Sequence, residues 1–290
     1  MVGVALNGFY PPDHVARERI AFPVGGPPPD VTMPPRTVEI GDARALQAES
    51  GLSEAEFFAA HGFVLLPHAT AVRDWDADAL VYLPEIETLI RERLLPGRRV
   101  EIEQFPNILR RGRDTAVPFY AEGVHSDGGI GPDDYAHNIG AFSNEQFGAW
   151  WRERYDREDV AGVIWIDFWR VTNMAGPLAH MPLALCDTSS IEPADLVPIA
   201  NTGIAPEGRE SRHLGLRFNE GQRWYSYPGM TVDELLAFKL SEFWKDPDGQ
   251  RNCFHSAFRD PGAPADAQHR QSCEHRVGVV VLRDDSGAGS

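Results

Sequence analysis

The chain has 290 residues, 42% apolar and 10% aromatic, enough for one large domain or two small ones around a sizeable core. Its formal net charge of −16 leaves no basic face to displace nucleic-acid counterions or to dock on an anionic membrane. No run approaches the roughly 18 apolar residues of a membrane span, the N-terminus lacks a signal-peptide pattern, and Cys186, Cys253 and Cys273 are too few and scattered for a disulfide framework or thiolate zinc site, so a cytoplasmic protein with free thiols is expected.

Residues 1–38 are rich in Pro and Gly (PPDH, GGPPPD, MPPR) and read as an extended arm. It is either a floppy tail or, through Phe9, Tyr10, Ile20 and Phe22, a strap over the core or over a partner subunit, which leaves a homodimer open. Residues 39–283 read as a single domain with N-terminal helices, and residues 284–290 (DDSGAGS) as a disordered tail. SEAEFFAA opens with Ser53 and carries Glu56 three places on, a capping box that starts a short helix. HGFVLLPHAT then reads as a strand. In DADALVYLPEIETLIRERLL, helical spacing of Leu80, Leu83, Ile86, Leu89 and Ile90 predicts a second helix.

From about residue 100 the pattern changes to short β-rich runs: RRVEIEQFPNILRR, VAGVIWIDFWRV, PLALCD, RHLGLRF, QRWYSYP and HRVGVVVLR, separated by Pro, Gly, Asp and Asn turns. NEQFGAWWRERYDRED reads as a helical insert, and MTVDELLAFKLSEFW as one helical turn followed by a strand. Short strands with few long helices between them point to a mainly β fold with flanking helices, an antiparallel sandwich or barrel rather than a doubly wound sheet.

The run VHSDGG places His125 and Asp127 at i and i+2, which on a strand point to the same face. An imidazole and a carboxylate converging there need one more imidazole to complete a two-histidine, one-carboxylate facial triad, which leaves coordination positions open for a co-substrate and dioxygen. Alone, H-x-D is a weak motif. Of ten histidines, His255 in NCFHSAF is the best third ligand, although a histidine among apolar neighbours is commonly a hydrogen-bonded core residue. Arg270 and Ser272, at i and i+2 before HRVGVVVLR, form the pair that would clamp a carboxylate, as the distal end of 2-oxoglutarate requires. Arg276 continues that face and is a secondary candidate, because it can also pair with Glu274. Tyr225 and Tyr227 share a strand face from which either hydroxyl could reach the same co-substrate, whereas Trp224 reads as core. In DFWR, Asp167, Trp169 and Arg170 are candidates for substrate contact; Arg170 ends an apolar strand and would grip a carboxylate or pair with Asp167 or Asp187.

The series FWR…GP…PLALCDTSS…DLVP, FNEGQRWYSYPGMTVDELLAFK and HSAFRDP…RQSCEHRVGVVV resembles the CmcJ/AsaB-like hydroxylase/desaturase family over roughly residues 120–283. The resemblance implies a double-stranded β-helix (jelly-roll) core, iron(II) and 2-oxoglutarate as cofactor and co-substrate, dioxygen as oxidant, and a small molecule of secondary metabolism as substrate. By position it implies His125, Asp127 and His255 as iron ligands and Arg270 with Ser272 as the 2-oxoglutarate clamp. One departure is Asp167-Phe168-Trp169-Arg170-Val171, where the family commonly reads Asn-Val-Trp-Arg-Pro, so no relative's substrate carries over. A methyltransferase, suggested by older naming in the family, lacks its glycine-rich strand-to-helix turn here. Two rivals remain: an iron oxidase that does not use 2-oxoglutarate, and a cupin-like binder without turnover. Succinate formed in step with product separates the first from the main reading; an intact triad speaks against the second.

Overall fold

The computed structural model describes residues 1–15, 19–23, 31–104, 108–246 and 248–284. Most of the expected tail at 284–290, and part of the arm, therefore lie outside the described residues. In chain order the chain forms β1 (Val2–Leu6), β2 (Ile20–Pro23), β3 (Arg36–Asp42), α1 (Ala43–Glu49), α2 (Glu54–His61), β4 (Phe63–Pro67) and α3 (Ala79–Leu89), which runs on into a π-helical turn at Ile90–Leu94. Then come β5 (Val100–Gln104), β6 (Leu109–Arg111), α4 (Pro132–Phe142), α5 (Glu145–Asp156), β7 (Val160–Val171), β8 (Leu183–Cys186), β9 (Leu196–Thr202) and β10 (Glu210–Leu216). The last strands are β11 (Trp224–Ser226), β12 (Glu234–Lys245), β13 (Asp248–Arg251), β14 (His255–Ala257) and β15 (Ser272–Leu282).

Local sequence explains several of these starts and stops. Ser53 and Glu56 close the expected capping box on α2, and Gly62 ends it at φ 81°, a left-handed conformation that favours glycine. Along α3 and the π-helical turn the buried stripe is Tyr82, Ile86, Leu89 and Ile90; Leu80, expected inside, is 71% exposed. The helical turn expected in MTVDELLAFK is a plain turn, and Glu234 already starts β12.

Two walls result. One is a seven-stranded sheet ordered β13-β12-β7-β15-β5, with β4 on β12 and β6 on β15. The other combines a five-stranded sheet, β1-β3-β11-β8-β14, with a three-stranded sheet, β10-β9-β2. The segment at His125 and Ser126 joins them, bridging His255 on one side and Leu214 on the other. This is the jelly-roll class expected from the sequence. Strand parity sorts β15: Cys273, Val277 and Val279 join the cluster that holds Tyr82 and Ile86 of α3, while Ser272, Glu274 and Arg276 take the other face. Among the described residues no helix is long and apolar enough to cross a membrane.

The described part of the arm lies on the core. Val2–Leu6 pairs antiparallel with β3, and Phe9 is 1% exposed, packed edge-on to Phe218 and Trp224 with ring centroids 5.4 and 5.8 Å away. Truncating a buried phenylalanine removes its transfer energy and leaves a cavity, so Phe9→Ala is expected to lower stability by about 3–5 kcal/mol. Denaturant unfolding checks this; a loss below about 1 kcal/mol would mean that the arm contributes little to the fold.

Candidate metal centre

His125 and His255 face each other across paired backbones. The His125 N–H donates to the His255 carbonyl at 3.2 Å, and the His255 N–H returns the bond at 3.0 Å. Directly opposed side chains share a face, and the two imidazole centroids stand 4.5 Å apart. Nδ1 of His125 lies 2.6 Å from the Gly123 carbonyl and Nδ1 of His255 lies 3.2 Å from that of Cys253. A proton on each Nδ1, donated to its carbonyl, leaves both Nε2 lone pairs free for a cation. Burial, then the neighbouring His125, pushes the His255 pKa down to about 4, so this ring is neutral near pH 7.

Asp127 completes the group: one donor atom from each of His125, Asp127 and His255 lies within 4.8 Å of the others. The geometry is not the regular strand that i, i+2 spacing suggests. His125 and Ser126 are single bridges, and Asp127 sits in the bend just beyond. Gly128 allows that bend, since a Cβ there would stand 2.5 Å from the Leu240 carbonyl of β12. Burial alone would raise the Asp127 carboxyl, but Arg276, His213 and the two imidazoles outweigh it and hold it well below the usual range.

The three residues line a cavity between the walls, together with Asp167, Trp169 and Arg270. Arg270 is 1% exposed; its guanidinium lies over the rings of Tyr120 and Trp169, at 4.3 and 5.4 Å, and donates to the Met181 carbonyl. Its Nε and the Ser272 hydroxyl are buried with no partner among the described residues. Burial lowers the Arg270 pKa to about 10, which leaves it charged at neutral pH. Arg276 instead donates from Nη2 to Asp127 Oδ2 at 2.8 Å and to Glu274 Oε2 at 3.1 Å. Asp167 is 1% exposed with an unpartnered Oδ1, and burial, then Glu274, pushes its carboxyl well above the usual range.

Other sequence candidates are placed elsewhere. Arg170 takes the opposite face of β7 from Asp167 and Trp169, buried over Trp75 and Tyr82, and donates to the carbonyls of His68 and Val232 at 2.8 and 2.5 Å. Tyr227 donates to Gln47 at 2.7 Å, and Tyr225 packs beside Phe63; neither lines the cavity. Trp224 is core, as read. Sequence reasoning missed His213, whose Nδ1 is 3.5 Å from Asp127 Oδ1, and Arg111, which donates to Glu274. The first had a readable signal, a histidine inside the alternating run RHLGLRF.

A jelly roll with two imidazoles and a carboxylate converging inside it is the arrangement of a non-haem metal oxidoreductase. Residues 11–280 match the family described as YDMC: Oxidoreductase/YMDC permease-like domain, and the chain belongs to that family. A curated relative, "Hydroxylase/desaturase poxK" of Penicillium oxalicum (strain 114-2 / CGMCC 5302), is 23% identical over 91% of this chain and 84% of its own. "Aspirochlorine biosynthesis protein N" of Aspergillus oryzae (strain ATCC 42149 / RIB 40) is 32% identical over 115 residues, 38% of this chain; the match spans 45% of that relative's length. The solved structure of "iron and alpha-ketoglutarate-dependent endoperoxidase NvfI" is similar in fold, with a TM-score of 0.71 at 21% identity over 97% of this chain and 98% of that one.

Removing one donor from a three-donor set should abolish stoichiometric binding. Anaerobic dialysis against iron(II) is expected to load the native protein and Arg170→Met, and to leave His255→Ala empty. Retention of iron by His255→Ala, or its loss in a folded Arg170→Met, would contradict this assignment of faces.

Proposed function

We propose that the protein is an iron(II)- and 2-oxoglutarate-dependent oxygenase that uses dioxygen to hydroxylate or desaturate a small molecule of secondary metabolism, releasing succinate and carbon dioxide. The observation that carries this is one cavity lined by the triad His125, Asp127, His255 and by Arg270, whose buried Nε has no partner among the described residues, with the equally unpartnered Ser272 Oγ on the strand face of the cavity residue Glu274. The donor set suits a divalent iron with positions left open, and a guanidinium with a hydroxyl beside it suits the distal carboxylate of a keto diacid. The similarity to a hydroxylase/desaturase and, in fold, to an iron- and alpha-ketoglutarate-dependent endoperoxidase supports the same reading. It extends to a single catalytic domain over residues 39–283, with the described part of the N-terminal arm lying on it, located in the cytoplasm; a homodimer is compatible with it.

Bound iron(II) supplies the dioxygen and one-electron chemistry, as cofactors generally do. The chain's own part is placement. His125 and His255 present Nε2, each ring oriented by a backbone carbonyl. Arg270, held between Tyr120 and Trp169, would grip the far carboxylate of the co-substrate and so orient its keto-acid end toward the triad. Trp169, Leu183 and Phe238 give the cavity an apolar wall that excludes water. Arg111 and Arg276 are each paired with carboxylates, Glu274 and Asp127, which favours a substrate without a carboxylate of its own, met by Asp167 through a hydroxyl or carbonyl oxygen.

The test is anaerobic titration of the iron(II) protein with 2-oxoglutarate, followed by its visible metal-to-ligand charge-transfer band. Truncating one side of a buried charge pair costs about 2 kcal/mol or more, so Arg270→Met should weaken the co-substrate at least ~30-fold. An iron-loaded native protein without the band would instead favour the oxidase that does not use 2-oxoglutarate.

A further inference from the structure

Asp127 is gripped from both walls. Its Oδ2 takes the 2.8 Å hydrogen bond from Arg276 on the seven-stranded sheet. Its Oδ1 faces His213 of β10, with Nδ1 at 3.5 Å, and His125, with Nε2 at 3.8 Å. Ser126 pairs with Leu214 through bonds of 2.8 and 3.0 Å, which sets His213 across from Asp127, and Ser211 Oγ lies 2.9 Å from the ring's other nitrogen. Arg276 is fixed in turn by Glu274 at 3.1 Å, with Asp167 Oδ2 nearby at 3.9 Å from its Nε; Arg111 donates to the far oxygen of Glu274.

A carboxylate can bind a cation through one oxygen or chelate it through both. Chelation by Asp127 would consume a coordination position that the facial arrangement leaves open. We propose that Arg276 and His213 are positioning residues that keep Asp127 a one-oxygen ligand, Arg276 by occupying Oδ2 and His213 by fixing the rotation of the carboxylate. This deepens the proposed function and rests on it only for the identity of the metal. A charge-assisted bond to an immobilised guanidinium is stronger than a neutral one, so swinging Oδ2 onto the metal would break a favourable contact and leave Arg276 facing Glu274 and Asp167 alone. It also explains why Arg276, on the same strand face as the clamp Arg270 and Ser272, is not part of that clamp.

The experiment uses manganese(II) alone as the probe and counts inner-sphere waters on the full chain by water-proton relaxation. The native protein is expected to show about three, the positions a facial triad leaves on a six-coordinate ion. Arg276→Met is expected to keep one manganese(II) and native circular dichroism but to show about two waters, a fall of about a third in relaxivity; Arg276→Lys should recover most of it. Three waters in Arg276→Met would overturn the proposal. So would loss of manganese(II) from a folded variant, because Arg276 would then build the site rather than set its denticity. Should Arg276→Met not fold, His213→Phe is measured the same way: two waters support the proposed positioning of Asp127 and three refute it. A native protein that shows three waters but no response to added 2-oxoglutarate would sink the co-substrate reading while leaving the role of Arg276 and His213 at Asp127 intact.

Discussion

The reciprocal backbone bonds between His125 and His255 are the constraint on which the rest depends. They place two imidazoles from distant parts of the chain side by side, and they also seal a wall of the fold. The same short segment continues through Ser126 to Leu214, so the five-stranded and three-stranded sheets are joined at the residues that carry the candidate ligands. Ser126 Oγ and the Asn252 amide both donate to the Leu240 carbonyl at 2.8 Å, tying this seam to β12 of the opposite wall. Such a site has no local precursor: it forms only when strands remote in sequence have paired. A cation that binds there binds the folded chain alone, and its binding energy therefore adds to the stability of the fold.

Charge inside the cavity follows a different rule from charge outside. The surface is strongly acidic, yet within the site Arg111, Glu274, Arg276 and Asp127 alternate in sign along one line of contacts. In a medium of low effective dielectric an unmatched charge is costly, and alternation lets four ionised groups share a small volume. Arg270 stands apart: its hydrogen bond goes to a carbonyl and its faces to aromatic rings, so its charge is shielded without being neutralised. A guanidinium buried in that state is suited to an anionic ligand, and Ser272 on the same strand face makes the recognition directional.

Much of this was legible in the sequence, and what escaped it did so for physical reasons. The capping box of α2, the β character beyond residue 100 and the H-x-D motif depend on neighbours a few residues apart, so local reading suffices. Asp167, Trp169 and Arg170 could not all line one cavity, because adjacent strand residues point to opposite faces. Strand parity alone separates Arg170 from the other two, but which face is inward is set by the pairing of Asp167 with Arg276. Tyr225 and Tyr227 share a face as read, yet β11 runs beside β3 and β8, and that face packs against Phe63 and Gln47. Strands β1 and β3 were hidden because VGVAL and RTVEIGD are short, and each is stabilised by a partner some thirty residues away rather than by its own pattern.

The partition of β15 shows how one strand serves both purposes. Its even-numbered residues Ser272, Glu274 and Arg276 carry polar chemistry, and odd-numbered Cys273, Val277 and Val279 pack in the cluster that includes α3. A one-residue slip in its register against β7 would move Ser272, Glu274 and Arg276 into the apolar layer and Cys273, Val277 and Val279 onto the other face. Burial of the apolar half thus fixes the polar half, at intervals of two residues, without contacts among the site residues themselves having to specify it. Precision at the site follows from the hydrophobic layer behind it; farther along the even-numbered face the strand leaves the cavity, and at Gly278 the Tyr135 hydroxyl of α4 takes the space a Cβ would need.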